Sequence, residues 1–259
     1  MSLLAVRNLS KRFGGNTAVD DISFDLQAGE LLALIGPNGA GKSTTFNMVG
    51  GQLPASSGSV MFHGNELLGM KSRHIARMGI GRTFQIAATF SSLTVLENIQ
   101  MALLAHHRKV YSFWRPAFSR FREEALQLLE QVGMQNQAGR PGSELAYGDV
   151  KRVELAMSLA GNPRLLLMDE PTAGMAPAER NALVALVKHL VVQNNMAVLF
   201  TEHSMDVVFA YADRIIVLAR GQLIAQGSAD YVRSHPKVQE VYFGRGKTFE
   251  NFTPGMSPS

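Results

Sequence analysis

The stretch Gly36-Pro-Asn-Gly-Ala-Gly-Lys-Ser-Thr44 decides the fold, because it is a complete G-x-x-x-x-G-K-[ST] phosphate-binding loop. It follows the apolar run Leu31-Leu-Ala-Leu-Ile35 and leads into a helical segment that ends at about Gly50. Glycines let successive backbone N–H groups converge on phosphates, and the helix N-terminus adds partial positive charge. This setting predicts a site for ATP or GTP rather than a glycine-rich turn with an exposed lysine.

Two side chains of this loop have predicted roles of their own. Lys42 is expected to reach the β- and γ-phosphates, and the Ser43 hydroxyl is placed to bind Mg²⁺. The other predicted nucleotide contacts in the loop are Gly36, Asn38, Gly39, Ala40, Gly41 and Thr44.

Two later apolar runs end in side chains that suit phosphate hydrolysis. The first begins at Leu165 and ends in Asp169 and Glu170. A carboxylate at the end of a strand can bind a metal ion, so Asp169 is predicted to hold Mg²⁺ directly or through water. Glu170 would orient the attacking water or accept its proton. The run 196–201 leads to His203, whose imidazole would contact the γ-phosphate and that water. The plainer alternatives are a surface acidic pair and a structural histidine.

Strand-like and helix-like segments alternate around these motifs. A helix is expected from Pro177 to Val192, because proline suits the first helical position. This alternation predicts an α/β fold with a mostly parallel sheet that binds its ligand at the carboxyl ends of the strands. Further strands are expected within 3–35 and 58–70 and at 165–168, 197–201 and 214–218, and helices are expected through 86–161, with an amphipathic one at 122–132.

The composition narrows the classes of function. The chain has 259 residues, of which 46% are hydrophobic and 18% charged, as is usual for a globular protein. It has no cysteine, which excludes disulfides and thiolate chemistry. No apolar run approaches the roughly 18 residues of a membrane span, and no signal peptide is expected. The net charge is only +4 and the basic residues are scattered, so no nucleic-acid partner is expected.

With these motifs in order, the chain resembles the ATP-binding cassettes of ABC transporters from about Leu3 to Gly244. It is most similar to the ATP-binding subunits of branched-chain (hydrophobic) amino acid importers. The segments that carry this finer resemblance are Gly81-Arg-Thr-Phe-Gln85, Leu93-Thr-Val-Leu-Glu-Asn98, Leu145-Ala-Tyr-Gly148, Thr172-Ala-Gly-Met175 and Glu240-Val-Tyr-Phe-Gly244.

The resemblance implies a P-loop NTPase core with an N-terminal antiparallel β subdomain and an inserted helical subdomain. Residues 1–243 would form a single cassette, with the nucleotide-binding core in 1–85 and 162–243 and the helical, signature-bearing subdomain in 86–161. The tail 244–259, rich in Gly, Pro and Ser, is expected to be mobile.

The resemblance also implies roles for individual residues. Phe13 matches the aromatic position that stacks on adenine, and Val19 is expected to flank it; the alternative for Phe13 is a plain core residue. Gln85 matches the glutamine that reaches the metal and the nucleophilic water, and a solvated loop residue is its alternative. Asp169, Glu170 and His203 match the metal-binding, catalytic-base and switch-histidine positions, in agreement with the reasoning above.

In this family two cassettes close head to tail on two ATP molecules, and each ATP meets the partner's signature segment. Here that segment is expected to supply Ala146, Tyr147 and Gly148. The family pattern carries serine and a second glycine where this chain has Ala146 and Tyr147, although Ala-Tyr-Gly recurs in the amino acid importer branch. It carries aspartate or asparagine where this chain has Ala176. Asp149 would bring negative charge near the partner's ATP unless its carboxylate turns away. These departures lead to the hypothesis of an unlike partner cassette, with a homodimer as the alternative.

The implied partners are a second cassette, integral membrane permease subunits and, indirectly, a solute-binding protein. The expected location is peripheral, at the cytoplasmic face of a bacterial inner membrane. The aromatic segment 111–118 either docks on a membrane subunit or forms a satellite core. Import of urea or amides, export of lipid or lipopolysaccharide, and a non-transport ATPase of the same superfamily remain alternative functions.

Overall fold

The computed structural model describes residues 2–83, 89–107 and 121–243. Gln85, the segment 111–118 and the tail 244–259 lie outside the described residues, so the expectations about them stay predictions. The described strands are β1 (Leu4–Phe13), β2 (Asn16–Leu26), β3 (Leu31–Ile35), β4 (Ser57–Phe62), β5 (Asn65–Glu66), β6 (Ile80–Arg82), β7 (Leu165–Asp169), β8 (Ala197–Thr201), β9 (Arg214–Ala219) and β10 (Gln222–Gly227).

The described α-helices are α1 (Lys42–Val49), α2 (Ser72–Arg77), α3 (Val95–His106), α4 (Arg122–Gln131), α5 (Tyr147–Leu159), α6 (Pro177–Gln193), α7 (Met205–Tyr211), α8 (Ala229–Ser234) and α9 (Pro236–Phe243). Short 3₁₀ turns at Gln135–Gln137 and Gly142–Glu144 lead into α5. Among these residues, no helix is both long and apolar enough to cross a membrane.

Two sheets organise the described part of the chain. The larger has the strand order β10-β9-β3-β8-β7-β6. Adjacent strands in it run parallel, except that β9 and β10 pair antiparallel. The smaller is antiparallel, with the order β2-β1-β4-β5. These sheets confirm the predicted α/β fold with a mostly parallel sheet and an N-terminal antiparallel one. Helices α4 and α6 also lie where the sequence predicts them, whereas β6 and β10 have no counterpart among the predicted strands.

The central strand β3 shows why its sequence is continuously apolar. All of its residues are buried. Leu31, Ala33 and Ile35 pack into a core shared with helices α3 to α6. Leu32 and Leu34 pack on the other face, in a second core with α1 and the antiparallel sheet. A strand that is covered on both faces requires an apolar residue at every position, and this burial fixes the strand beneath the phosphate-binding loop.

Candidate nucleotide-binding site

The phosphate-binding loop joins β3 to α1 at the carboxyl end of the parallel sheet. It forms one wall of an open cleft of about 480 Å³. The cleft is lined by Asn16, Thr17, Ala18, Asn38, Gly39, Ala40, Gly41, Lys42, Ser43, Thr44, Glu170, His203 and Arg220. The fold therefore brings the loop together with Glu170 and His203, which lie far away in the sequence.

Two glycines of the loop are required by close backbone approaches. A Cβ atom on Gly36 would lie 2.3 Å from the carbonyl oxygen of Leu218, and one on Gly41 would lie 2.5 Å from that of Ala18. Gly41 also has a φ of +100°, where L side chains are strained. Glycine at these positions lets the loop lie directly against β9 and β2.

Lys42 folds back onto its own loop. Its Nζ atom donates to the carbonyl oxygens of Gly36 at 2.6 Å and Pro37 at 3.1 Å. Burial lowers the pKa of the Lys42 ammonium, and the negative charges of Glu170 and Asp169 oppose that shift. The ammonium thus lies in the field of both carboxylates, bonded to weak acceptors that a phosphate could replace.

Asp169 is buried at the end of β7 and has two defined contacts. Its Oδ1 atom accepts a hydrogen bond of 2.6 Å from the Thr201 hydroxyl, at the paired position on β8. Its Oδ2 atom lies 3.7 Å from a guanidinium nitrogen of Arg82, which also donates to the side chains of Asn47 and Gln52. These contacts orient the carboxylate and connect it to α1 and β6.

Glu170 and His203 meet directly in the cleft. The Nε2 atom of His203 lies 2.8 Å from Oε1 of Glu170, while their side chains are 50% and 28% exposed, respectively. Glu170 has a φ of +49°, which is uncommon for a residue with a side chain. Its N–H group donates to the hydroxyl of Thr201 at 3.0 Å and to the carbonyl of Thr201 at 3.2 Å. The pair can orient a water molecule or move a proton between its members.

The two residues expected at the adenine differ in their exposure to solvent. Phe13 is 49% exposed with Lys11 Nζ 5.0 Å from its ring centroid, so the alternative of a plain core residue is wrong. Val19, by contrast, is completely buried, and the expectation that it flanks the base is wrong. It packs beneath the loop, where its side chain would meet a Cβ on Gly41 at 3.2 Å. The residues of β2 that line the cleft are its neighbours at 16–18.

The signature residues do not line the cleft of their own chain in the described structure. Helix α5 begins after Ala146 without a hydrogen bond from a capping side chain. The hydroxyl of Tyr147 donates to the carbonyl of Ala173 at 3.1 Å, so the segment rests on the loop after Glu170. A Cβ on Gly148 would lie 3.1 Å from a carboxylate oxygen of Glu179.

Asp149 follows these residues in the first turn of α5. Its Oδ2 atom accepts a hydrogen bond of 3.2 Å from the side-chain amide of Gln137. Ala176, the other departure from the family pattern, precedes α6, and its N–H group donates to Glu179 at 3.4 Å.

The oxygen ligands that Ser43 and Asp169 offer fit a magnesium ion that arrives with a nucleotide. No group of three or more His, Cys, Asp or Glu side chains in the described residues could hold a metal by itself. Mg²⁺ usually keeps several waters and binds one or two carboxylates together with substrate phosphates. Ser43 in the cleft wall and Asp169 at the end of β7 offer ligands of this kind.

A family model described as "ABC transporter" matches residues 19–173, which include the phosphate-binding loop, the signature segment and Glu170. The chain belongs to the ABC transporter family. It is an ATP-binding cassette of the ABC ATPase class, as its P-loop NTPase fold and its relatives show together.

Curated relatives match this cassette over almost its whole length. The high-affinity branched-chain amino acid transport ATP-binding protein LivG of Salmonella typhimurium is 39% identical over 252 residues, which are 93% of this chain and 98% of that protein. BraF of Pseudomonas aeruginosa, named for the same transport, is 36% identical with the same coverage.

Solved structures agree with the fold of the cassette. The ADP conformation of MJ1267, an ATP-binding cassette of an ABC transporter, has a TM-score of 0.85 at 34% identity, covering 94% of this chain and 99% of that one. A dimeric post-hydrolysis state of the cassette MJ0796, bound to ADP and Pi, has a TM-score of 0.72 at 25% identity, covering 87% and 98%.

Residues that sequence reasoning missed complete the site. Arg220 lines the cleft from the turn between β9 and β10, and Thr201 and Arg82 hold Asp169. Only the parallel pairing of β7 with β8, which places Thr201 opposite Asp169, could have pointed to Thr201. Arg82 lies within 81–85, one of the segments that carry the family resemblance, so the sequence drew attention to its position. Nothing in the sequence identified Asp169 as its partner.

Proposed function

We propose that this cassette hydrolyses ATP to power the uptake of branched-chain or other hydrophobic amino acids. The observation that supports hydrolysis is the contact between Glu170 and His203, which lie in the same cleft as Lys42 of the phosphate-binding loop. The amino acid substrate is supported by relatives such as LivG and BraF, which are named for branched-chain amino acid transport.

In the proposed reaction, Lys42 exchanges its backbone carbonyl partners for the β- and γ-phosphates. The backbone N–H groups of the loop bind the remaining phosphate oxygens. Ser43 and Asp169 would hold the Mg²⁺ that neutralises phosphate charge during transfer. Glu170 orients the attacking water and takes its proton, and His203, at 2.8 Å from Glu170, holds that carboxylate in place beside the γ-phosphate.

Two further contacts belong to the same proposal. Phe13 is exposed on β1 and is free to stack on adenine, with the cleft-lining residues of β2 beside it in place of Val19. Gln85 is assigned to the metal and the attacking water from the family resemblance.

The proposed working unit is a head-to-tail pair of cassettes, in which Ala146, Tyr147 and Gly148 approach the partner's ATP. Ala146 cannot donate the hydroxyl hydrogen bond that serine gives in the family pattern, and Ala176 removes a polar group from the loop after Glu170. We therefore propose an unlike partner cassette. In that pair, the site built on this chain's phosphate-binding loop does most of the hydrolysis.

The cassette pair would be recruited to the cytoplasmic face of the membrane by permease subunits, and a solute-binding protein would deliver the substrate. Reconstitution of the cassettes and permease in proteoliposomes tests this assignment. Leucine-loaded binding protein should stimulate ATP hydrolysis and leucine uptake, whereas stimulation only by a urea- or amide-loaded protein would contradict the amino acid assignment.

Variants of this chain test the hydrolysis itself. Lys42→Ala should abolish turnover, and Lys237→Ala, at an exposed position outside the cleft, is the matched control. Glu170→Gln in this chain should cost more activity than the equivalent change in the partner. Equal losses would contradict the unlike pair, and retained activity in Lys42→Ala would contradict the site.

A further inference from the structure

Glu202 lies between Thr201 and His203 but points away from the cleft. The residue is only 3% exposed, although a carboxyl group is costly to bury unless donors surround it. It does not line the nucleotide cleft. Its burial next to two residues of the site therefore needs another explanation.

The two oxygen atoms of Glu202 hold two different loops. Oε1 accepts hydrogen bonds from the N–H group of Thr172, at 3.1 Å, and from its hydroxyl. Oε2 accepts from the N–H groups of His203 at 3.1 Å and Ser204 at 3.4 Å. One loop follows Glu170 and the other carries His203, so a single buried side chain connects the backbones on both sides of the catalytic contact.

The contact that Glu202 supports is weak by itself. His203 and Glu170 are half and about a quarter exposed, and ion pairs at such positions contribute little because water and salt screen them. Glu170 moreover has a positive φ, a conformation that the surrounding structure must maintain. A distance of 2.8 Å between two such side chains therefore depends on how their backbones are held.

We propose that Glu202 is a positioning residue that sets the loop after Glu170 and the loop of His203 in one fixed arrangement. Through Thr172 on one side and the N–H groups of residues 203 and 204 on the other, it keeps the Glu170–His203 pair assembled for hydrolysis. This inference rests on the proposed function of that pair.

Glu202→Gln is the direct test, because glutamine has similar volume but only one acceptor oxygen. Its amide group would face the donors of one loop and could not accept from them. We expect kcat for ATP in the assembled transporter to fall about 10- to 100-fold, while KM for ATP changes less than about threefold, because the phosphate-binding loop is untouched.

A cycle with His203→Ala separates positioning from a merely structural role. If Glu202 acts through His203, then His203→Ala should cost at least about tenfold less kcat in the Glu202→Gln background than in the wild-type chain. Losses that multiply fully, or a normal kcat in Glu202→Gln, would overturn the proposal.

Thr172 provides a milder pair of variants if Glu202→Gln does not fold. Thr172→Val removes only the hydroxyl donor and should lower kcat several-fold, while Thr172→Ser keeps the donor and should retain kcat. Equal kcat values for the two would overturn the proposal. An inactive wild-type transporter would instead contradict the proposed function, so the two failures are distinguishable.

Discussion

Replacing Thr201 with valine should weaken both the fold and the catalytic site, because its hydroxyl joins the two carboxylate residues. It donates to Asp169 at 2.6 Å and accepts from the N–H group of Glu170 at 3.0 Å. Valine has nearly the same shape and also suits a strand, so Thr201→Val removes the hydrogen bonds with little change in packing.

The size of the effect follows from burial. Thr201 is 1% exposed and Asp169 6%, so water cannot replace the lost donor. A hydrogen bond to a charged group contributes about 1.5–3 kcal/mol. The N–H group of Glu170 keeps the Thr201 carbonyl at 3.2 Å and adds little to the loss. At about 2–4 °C for each kcal/mol in a chain of this size, the melting temperature should fall by about 3–12 °C.

Thr201→Ser is the matched control, because serine keeps the hydroxyl and loses one buried methyl group, at a cost of about 1 kcal/mol. Calorimetry of both variants gives the change in melting temperature, and steady-state ATPase assays of the assembled transporter give kcat. We expect Thr201→Val to lose kcat and Thr201→Ser to retain most of it. If the valine variant were as stable and as active as the serine variant, the hydroxyl would not orient Asp169, and the reasoning would be refuted.

Three other substitutions test separate parts of the structure. Gly41→Ala would force a Cβ to 2.5 Å from the Ala18 carbonyl oxygen at a φ of +100°, so the free energy of unfolding in urea should fall by about 2–5 kcal/mol; a fall below about 1 kcal/mol would contradict the close approach. Burial by itself raises the pKa of Glu66, but hydrogen bonds from one hydroxyl and three backbone N–H groups together outweigh it and hold that pKa below its usual value. Its contribution is therefore present above a pH of about 4.5 and lost as the pH falls through the folded pKa, so Glu66→Gln should flatten the acid side of the stability profile, and an unchanged profile would contradict this. Arg214 donates to both carboxylate oxygens of Glu30, at 2.7 and 3.1 Å, so Arg214→Lys should cost about 1–2 kcal/mol of stability in urea, and no loss would show that a point charge suffices.

The phosphate-binding loop and the acidic strand end could be found in the sequence because each is a local pattern. The glycine spacing, the apolar strand before it and the helix after it all lie within 20 residues of one another, from Leu31 to Gly50. Asp169 and Glu170 likewise follow an uninterrupted apolar run. Buried parallel strands produce such runs directly, so strand ends and the ligand side of the sheet follow from the pattern.

The position of Val19 could not be predicted in the same way. Its expected place followed from the family resemblance, which does not say which face of β2 a side chain occupies; reading that face from the sequence requires a regular alternation along β1 and β2. The pairing of these strands instead has register shifts after Val6, Leu9 and Lys11, so the inward and outward faces exchange along the ribbon. Because of these shifts, Val19 lies in the core rather than at the cleft. Strand β6 was not predicted for a different reason, because its three residues are too few to show an alternation of apolar and polar side chains.

The contacts around the Glu170–His203 pair were also beyond sequence reasoning, because they join residues about 30 positions apart. Thr201 bonds to Asp169 across neighbouring strands, and Glu202 bonds to Thr172 between the loops that follow them. Neither partner carries a local pattern that identifies the other. The parallel pairing of β7 with β8 places Thr201 opposite Asp169, and the contact of Glu202 with Thr172 lies just beyond the ends of the two strands.

The geometry of the signature segment changes which residues support an unlike partner cassette. The carboxylate of Asp149 accepts a hydrogen bond from Gln137 of the same chain, so it is directed toward this cassette's own residues, and charge at that position is a weaker argument for asymmetry. Ala146 is a stronger one. It precedes α5 without a capping side chain, so no hydroxyl is present there to bond a phosphate of the partner's ATP. An Ala146→Ser change that left the ATPase rate of the partner's site unaltered would therefore remove the main support for the asymmetry, whatever the effect of Asp149.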